Sequence, residues 1–181
     1  MKFIIYIKYA IFRRIARYRG AIIGRDTILP FKLAINANSN LTVGEDTIIG
    51  ENVTFDLRGQ IRIGNHVIVN DRVEIIRVSH YIDNDTLFTT RYYPELVIED
   101  YSWLATASRI LPSCTKVSSG SIISAFAVVV KNTEPMGVYS GNPAKLIRHH
   151  NSSFHDLVVV FLKGGDFRYY LQVLNHVVFK R

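Results

Sequence analysis

Residues 41–76 read LTVGEDTIIGENVTFDLRGQIRIGNHVIVNDRVEII, a stretch built largely from units of six residues. Each unit begins with an aliphatic residue and carries a small residue four places later. Eleven such hexads run through the middle of the chain, beginning at Ile23, Val43, Ile49, Ile63, Val69, Ile75, Ile98, Leu104, Ile110, Val117 and Ile123. The fifth place is Ser, Thr, Ala or Val in ten of them, and Gly stands second in four.

This period decides the fold class. Six residues are too few for a helical hairpin, and the pattern does not alternate as the strands of a sandwich do. A parallel β-helix fits, because one hexad forms one flat side and three hexads form a triangular coil. The aliphatic residue then fills the interior, and the small residue occupies a corner where backbones crowd. The sequence therefore predicts an all-β solenoid.

Composition sets further bounds. With 181 residues, of which 48% are hydrophobic, the chain is large enough for one domain with a substantial core. Cys114 is the single cysteine and stands at the small place of its hexad, which predicts a packed thiol in a reducing compartment. The formal net charge of +7 suits anionic partners. Nucleic acid is not expected among them, because no recognition motif accompanies the charge.

The segment before the hexads differs from them. Apolar side chains recur in it at helical spacing beside a basic second half, at Ile4, Ile7, Ile11, Ile15 and Tyr18. This predicts an amphipathic helix over residues 1–20. Lys2 and Lys8 keep the apolar run well below the ~20 residues of a membrane span, and no signal-peptide cleavage site follows. Two uses remain open: a cap on the open strand edges, or an interfacial helix near anionic lipid.

The longest break in the hexads carries the best candidate for chemistry. Shorter breaks fall at residues 29–42 and 55–62, whereas residues 80–96 read HYIDNDTLFTTRYYPEL. The polar and aromatic character of this segment predicts an ordered loop, and solenoids place function in such insertions. His80 begins it. Imidazole is the side chain best suited to remove a proton from a hydroxyl near pH 7, and such general-base catalysis contributes ~10²–10⁴ in rate.

Several of these features occur together in one known family. They are His80 after a run of hexads, the loop, a hexad with Trp103, ILPS at residues 110–113 and GNPAKLIR at residues 141–148. In this the chain resembles the hexapeptide-repeat acyltransferases, which include galactoside, maltose, streptogramin and surface-polysaccharide O-acetyltransferases. The resemblance covers residues 22–148 and implies that the parallel β-helix is left-handed.

The residue patterns and the resemblance together divide the chain into three segments. An N-terminal amphipathic helix occupies residues 1–20, and the β-helix with acyltransferase character occupies residues 21–148, with its loop at residues 81–97. Residues 149–181 are too regularly apolar for disorder and predict a C-terminal helical tail.

The activity implied by the resemblance is acetyl transfer from acetyl-CoA, without a metal, to a hydroxyl of a saccharide or surface-polysaccharide precursor. His80 takes the place of the catalytic base, and the attack on the thioester is direct. The residues that match the family's donor-binding positions are Trp103, Ala105, Thr106, Ala125, Val130, Lys131, Lys145 and Arg148. No acceptor-binding residue matches securely, and the nearby candidates are Asp56, Asp83, Asp85 and Arg91.

The resemblance also implies partners for the chain, and alternatives to the acetyltransferase interpretation remain. The family implies a homotrimer with active sites between subunits. The reducing compartment predicted from Cys114 indicates a cytoplasmic location, and the basic charge with the amphipathic helix adds the inner face of a membrane as a variant. The alternatives are an N-acetyltransferase acting on an amino sugar or a drug, and a noncatalytic β-helix scaffold. A β-helical carbonic anhydrase needs three imidazoles on zinc, whereas only His66 and His80 lie within the repeats. The spacing of seven between Ile110 and Val117 predicts a one-residue bulge near the donor groove.

Overall fold

The computed structural model describes residues 2–81 and 90–152. Helix α1 (Lys2–Tyr18) precedes the strands, and a short helix α2 (Phe31–Asn36) follows the first of them. In chain order the strands are β1 (Ile22–Ile23), β2 (Leu41–Val43), β3 (Ile48–Ile49), β4 (Thr54–Phe55), β5 (Ile61–Ile63), β6 (Ile68–Val69), β7 (Glu74–Ile75), β8 (Ser79–His80), β9 (Arg91–Tyr92), β10 (Leu96–Ile98), β11 (Trp103–Leu104), β12 (Arg109–Ile110), β13 (Lys116–Val117), β14 (Ile122–Ile123), β15 (Val128–Val129), β16 (Gly137–Gly141) and β17 (Ala144–His149).

Three sheets form the sides of the solenoid. Sheet A has the order β1-β2-β5-β10-β13, sheet B the order β17-β16-β14-β11-β6-β3, and sheet C the order β15-β12-β7-β4. Their strands pair in parallel from one coil to the next, apart from the final β16–β17 pair of sheet B, which is antiparallel. The chain visits A, B and C in turn, so the predicted parallel β-helix is confirmed.

The hexad register matches the core. All eleven residues at the head of a hexad are buried, none of them more than 4% exposed, and burial of such a side chain contributes about 1.5–3 kcal/mol. The small residues at the fifth place are buried too, except Ser79, which begins β8. The hexad that begins at Ile75 is therefore incomplete, because the chain leaves the coil after β7.

The corners between sheets have a shared backbone conformation. Left-handed residues recur at the fourth place of the hexads, with φ between 53° and 62°, at Asp26, Asp46, Asn52, His66, Arg72, Tyr101, Ala107 and Phe126. The second place is crowded instead: a Cβ on Gly44 would lie 2.6 Å from the carbonyl oxygen of Gly64 in the next coil. Glycine is required there because stacked corners approach too closely for a side chain.

Helix α1 covers the first coil. Arg17 Nη2 donates to the carbonyl of Ile23 at 2.6 Å, and Arg13 Nη1 donates to the carbonyl of Thr27 at 3.0 Å. Ala16 of the same helix is fully buried. Arginine side chains therefore satisfy backbone acceptors at the end of the solenoid, where no further coil can supply N–H donors. Among the residues that the structure describes, no helix has the length and apolar character needed to cross a bilayer.

The predicted breaks have definite structures where they are described. The first contains α2, whose Leu33 and Ala34 are buried. The longest forms an antiparallel hairpin of β8 and β9, and β10 begins at Leu96, so the last two residues of the predicted loop belong to sheet A. At the other end β17 extends to His149. The helical tail predicted over residues 149–181 falls largely on residues 153–181, which lie outside the described part.

Candidate active site

His80 lies in the hairpin that leaves the solenoid after β7, the second sheet-C strand along the chain. It is half-buried on β8 and stands directly opposite Arg91 of β9. Side chains of opposed residues in an antiparallel pair project to the same side, with Cβ atoms about 4.5–5.5 Å apart. The structure therefore brings the predicted base together with Arg91, a predicted acceptor residue. Asp83 and Asp85 lie outside the described residues.

Aromatic contact stiffens the same hairpin. The rings of Tyr81 and Tyr92 are tilted against each other with centroids 4.7 Å apart, a separation at which such pairs are stabilising. The amide of Tyr81 also donates to the carbonyl of Thr90 at 3.1 Å. His80 therefore sits in an ordered strand pair, where its imidazole can be held in one orientation.

A buried arginine anchors the base of the hairpin. Arg77 is fully buried, and its guanidinium donates to three carbonyls: Ile76 at 2.8 Å, Cys114 at 2.8 Å and Leu111 at 2.7 Å. Two of these acceptors belong to the turn of the following coil. Burial lowers the pKa of the Arg77 guanidinium from its usual value, although a group with so high an ordinary pKa stays charged. Room for this side chain depends on Gly59, because a Cβ there would lie 2.7 Å from the Cβ of Arg77.

Asp56, which lies in the preceding coil, accepts hydrogen bonds from the base of the hairpin. Its Oδ2 accepts the amides of Arg77 at 3.1 Å and Val78 at 2.9 Å, while Oδ1 accepts Nε of Arg58 at 2.7 Å. The hydrogen bond from Arg58, with further help from the backbone amides, holds the pKa of the Asp56 carboxyl below its usual value. Asp56 is a predicted acceptor residue, but only 12% of its side chain is exposed. Its contacts give it a role in positioning the hairpin.

The sequence did not indicate an anchoring role for either Arg77 or Asp56. Arg77 holds the third place of a hexad, which is polar and outward-facing in most other units, for example at Glu45 and Asp71. Its burial follows from the exit of the chain from the coil. Two of the three residues that receive its hydrogen bonds, Leu111 and Cys114, lie 34 and 37 positions away, so no local pattern could have found these two contacts.

The corner between sheets B and C gathers three predicted donor-binding residues. Ala105 and Thr106 follow β11, and Ala125 stands at the same corner one coil later. The stacking is direct, because the amide of Phe126 donates to the carbonyl of Thr106 at 3.1 Å. Ala105 and Thr106 are partly exposed at this corner, and Ala125 is exposed.

The corner between sheets C and A carries Val130 and Lys131 as well as the hairpin. Ile75, Ile110 and Val129 are in register across sheet C, so Val130 lies two coils from the hairpin base, about 10 Å at 4.7–4.9 Å per strand. Ser113 Oγ donates to the carbonyl of Val130 at 2.8 Å. The extra residue between Ile110 and Val117 falls in the turn at this corner, as the spacing predicted. Cys114 within it is buried, and burial raises the pKa of its thiol.

The outer face of sheet B carries the remaining predicted donor residues. Trp103, Ile122, Val138 and Arg148 follow one another in register across four strands, and the indole is 39% exposed. Lys145 lies on β17 near Arg148. Within the described part of one chain, then, His80 and Trp103 lie on different sides of the solenoid. One chain alone does not bring the predicted base and the whole donor set together.

Charge at these places suits an anion. Lys131, Lys145 and Arg148 are exposed, and among the described residues no carboxylate pairs with them. Their cationic groups are therefore available for phosphate oxygens through charge-assisted hydrogen bonds. Across the described residues there is no cluster of three or more His, Cys, Asp or Glu that could hold a metal ion.

Several solved structures share this architecture. The chain superposes with a TM-score of 0.65 on a hexapeptide-repeat containing acetyltransferase from Vibrio cholerae O1 biovar eltor, complexed with acetyl-coenzyme A, at 22% identity over 80% of this chain and 76% of that one. The fold is that of the hexapeptide-repeat acetyltransferases. A galactoside acetyltransferase in complex with coenzyme A gives the same TM-score, 0.65, at 21% identity over 76% and 68% of the two chains. The left-handed β-helix expected from the sequence resemblance is therefore confirmed.

Two further matches are to an N-acyltransferase and to a probable macrolide acetyltransferase. A mutant of AntD, an N-acyltransferase from Bacillus cereus, in complex with dTDP and coenzyme A, gives a TM-score of 0.59 at 11% identity over 90% of this chain and 82% of that one. Among curated sequences, the probable macrolide acetyltransferase of Lysinibacillus sphaericus is 38% identical over 68 residues. That match spans 38% of this chain and only 36% of the relative. No family model matches the chain.

Proposed function

We propose that this protein is an acetyltransferase that transfers the acetyl group of acetyl-CoA to a hydroxyl of a saccharide or surface-polysaccharide precursor. The observation that carries the proposal is the hairpin with His80 opposite Arg91, fixed to the solenoid by Arg77 and Asp56. A general base must be held in position to act, and this anchor supplies that rigidity. The acetyl-CoA and coenzyme A carried by structural neighbours with TM-scores of 0.65 support the choice of donor.

In the proposed reaction His80 accepts the proton of the acceptor hydroxyl as its oxygen attacks the acetyl carbon. The new oxygen–carbon bond replaces the carbon–sulfur bond, and the proton passes from His80 to the departing thiolate. Arg91, on the same side of the hairpin, is placed to bind polar groups of the acceptor. Lys131, Lys145 and Arg148 would hold the phosphates of the donor.

We propose that the working unit is a homotrimer whose sites lie between chains. The separation of His80 from Trp103 within one chain supports this arrangement. A second support is the outward row of sheet B, which is apolar from β3 to β16 and ends in Arg148 on β17. Its apolar members are Ile48, Ile68, Trp103, Ile122 and Val138. The corresponding rows of sheets A and C include charged residues such as Arg62 and Glu74. Sedimentation equilibrium tests the proposal, and a monomer at micromolar concentration would contradict it.

The comparisons support a second candidate for the acceptor atom, the nitrogen of an amine. AntD is an N-acyltransferase with this fold, and the curated relative is a probable macrolide acetyltransferase. Acetylation of an amino sugar or a drug is therefore the alternative. Coenzyme A release with galactosides or maltose, which offer only hydroxyls, would establish O-acetylation. With macrolides and amino sugars, which carry hydroxyls as well as nitrogen, mass spectrometry of the product locates the acetyl group and separates the two.

The decisive test pairs two histidines. We expect His80→Asn to lower kcat by about 10²–10⁴ while calorimetric titration shows unchanged affinity for acetyl-CoA. His66→Asn is the matched control, because His66 lies in a regular hexad at a left-handed corner (φ 55°) that Asn tolerates. It should keep full turnover. Unchanged turnover of the His80 variant would remove that residue from the mechanism, and no saturable binding of acetyl-CoA at millimolar concentration would favour a noncatalytic scaffold.

A further inference from the structure

The excess positive charge of the chain is concentrated at one end of the solenoid. Residues 1–44 contain eight basic residues and one acidic residue, Asp26, whereas residues 45–181 contain fourteen of each. The first forty-four residues therefore account for the whole formal net charge of +7. The basic residues of this segment are Lys2, Lys8, Arg13, Arg14, Arg17, Arg19, Arg25 and Lys32.

Helix α1 uses only one of its faces to cover the solenoid. Ala16 and Arg13 are buried on that face, and Phe12 packs against the core beside them. The opposite stripe of the helix faces outward, since its members are spaced by four, three and four residues. They are Ile7, Ile11, Arg14 and Tyr18, of which the three uncharged ones are 42%, 49% and 93% exposed.

Helix α2 adds to this exposed apolar surface. Phe31 is 50% exposed and Ile35 is 41% exposed, one helical turn apart. The ring of Phe31 contacts the ring of Phe12 with centroids 5.3 Å apart, so α2 lies beside α1. We call the set Ile7, Ile11, Arg14, Tyr18, Phe31 and Ile35 the cap patch. Apolar side chains grouped at this exposure mark an interaction surface.

The charges around the patch define what it can bind. Arg13 and Arg17 are engaged with backbone carbonyls, and Arg25 pairs with Glu45. Exposed cations remain on Lys8, Arg14, Arg19 and Lys32, and neither helix contains a carboxylate. An apolar stripe with a basic rim suits an anionic lipid surface, where apolar side chains enter the headgroup boundary and cations meet lipid phosphates.

We infer that the cap patch docks this protein on anionic lipid bilayers, with α1 lying along the surface. This interaction is separate from the proposed acetyl transfer, because the patch lies on the end of the solenoid and includes none of the residues assigned to that reaction. The occupant is a membrane rather than nucleic acid or an acidic protein, because half-exposed isoleucines gain most from an apolar phase. Nucleic acid or an acidic protein could instead be bound through contacts with the cations alone.

Flotation of the full chain with vesicles tests the inference. We expect binding to phosphatidylcholine vesicles that contain phosphatidylglycerol and little binding to phosphatidylcholine alone. Ile11→Asp and Arg14→Glu should each weaken binding by about tenfold, because a charge near the surface or a buried isoleucine contributes one to a few kcal/mol. Arg72→Glu is the matched control. It makes the same charge change at an exposed corner away from the cap and should bind as wild type does.

Three results would overturn the inference. The first is absence of binding to anionic vesicles, and the second is equal binding by the Arg14 and Arg72 variants, which would indicate a response to net charge alone. The third is a smaller oligomer for Ile11→Asp in lipid-free solution, which would assign the patch to a second copy of the chain. Circular dichroism checks that each variant is folded, and Tyr18→Ser replaces Ile11→Asp if that variant is not, since Tyr18 is 93% exposed.

Discussion

Replacing Arg77 by methionine should destabilise the protein far more than the loss of an ordinary arginine. Methionine fills a similar volume but leaves the carbonyls of Leu111 and Cys114 without the donors that they now have at 2.7 and 2.8 Å. A hydrogen bond to a charged group contributes about 1.5–3 kcal/mol, and a buried carbonyl left unpaired costs about 1–3 kcal/mol. Relief of the buried charge offsets part of this loss. We expect a net loss of about 2–5 kcal/mol in the free energy of unfolding.

Urea unfolding followed by circular dichroism measures this loss, with Arg62→Met as the matched control. Arg62 is 53% exposed and pairs with Glu95 at 2.7 Å, an arrangement that contributes only about 0–1 kcal/mol. Equal destabilisation by the two substitutions would refute the anchoring role of Arg77. Arg77→Met should also lower kcat of the proposed acetyl transfer with little change in KM for acetyl-CoA, because Arg77 is fully buried and its guanidinium is engaged by backbone carbonyls at the base of the hairpin.

Two further outcomes are expected from the titrating groups of this region. The Asp56 carboxyl has a lowered pKa because of Arg58 and the backbone amides, so its stabilising contribution is complete above the ordinary aspartate pKa of about 4 and is lost as the pH falls through the lowered value. Wild type and Asp56→Asn should therefore differ in Tm at pH 7 and converge in acid, and a difference that stays constant with pH would contradict this. Cys114 is fully buried with a raised pKa, so Ellman's reagent should modify it only after unfolding, and rapid reaction of the native protein would be the opposite result.

Much of the fold could be predicted because a solenoid repeats one physical requirement in every coil. Each interior position needs one aliphatic side chain, so Ile23 and Ile123, a hundred residues apart, occupy equivalent places and are both buried. The six-residue period therefore predicts which residues face the interior, and this prediction needs no information about distant contacts. It carries no information where the chain departs from it, and His80 and Arg91 are opposed by a hairpin that the period does not describe.

The sequence pattern predicts the N-terminal helix correctly, but it does not predict which of its side chains face the solenoid. Helical spacing grouped Ile11 and Ile15 in one stripe, but in the structure Ile15 packs against the core while Ile11 is 49% exposed. The reason is that the end of the first coil presents backbone carbonyls. Arg13 and Arg17 satisfy them, so the arginines set the rotation of the helix about its axis. The spacing of hydrophobic residues alone does not predict this rotation of the helix.

Two departures from the hexad period form one structural unit, although they lie more than thirty residues apart. The hairpin takes the chain out of the third coil. Because each coil of a solenoid is stabilised by its neighbours, the second and fourth coils must stabilise the place where the chain leaves. Asp56 holds the exit from the second coil through the amides of Arg77 and Val78. The fourth coil holds it through a turn lengthened by one residue, whose carbonyls accept the Arg77 guanidinium. The spacing of seven between Ile110 and Val117 is therefore explained by the insertion that carries His80, because the lengthened turn supplies the acceptors for the arginine at its base.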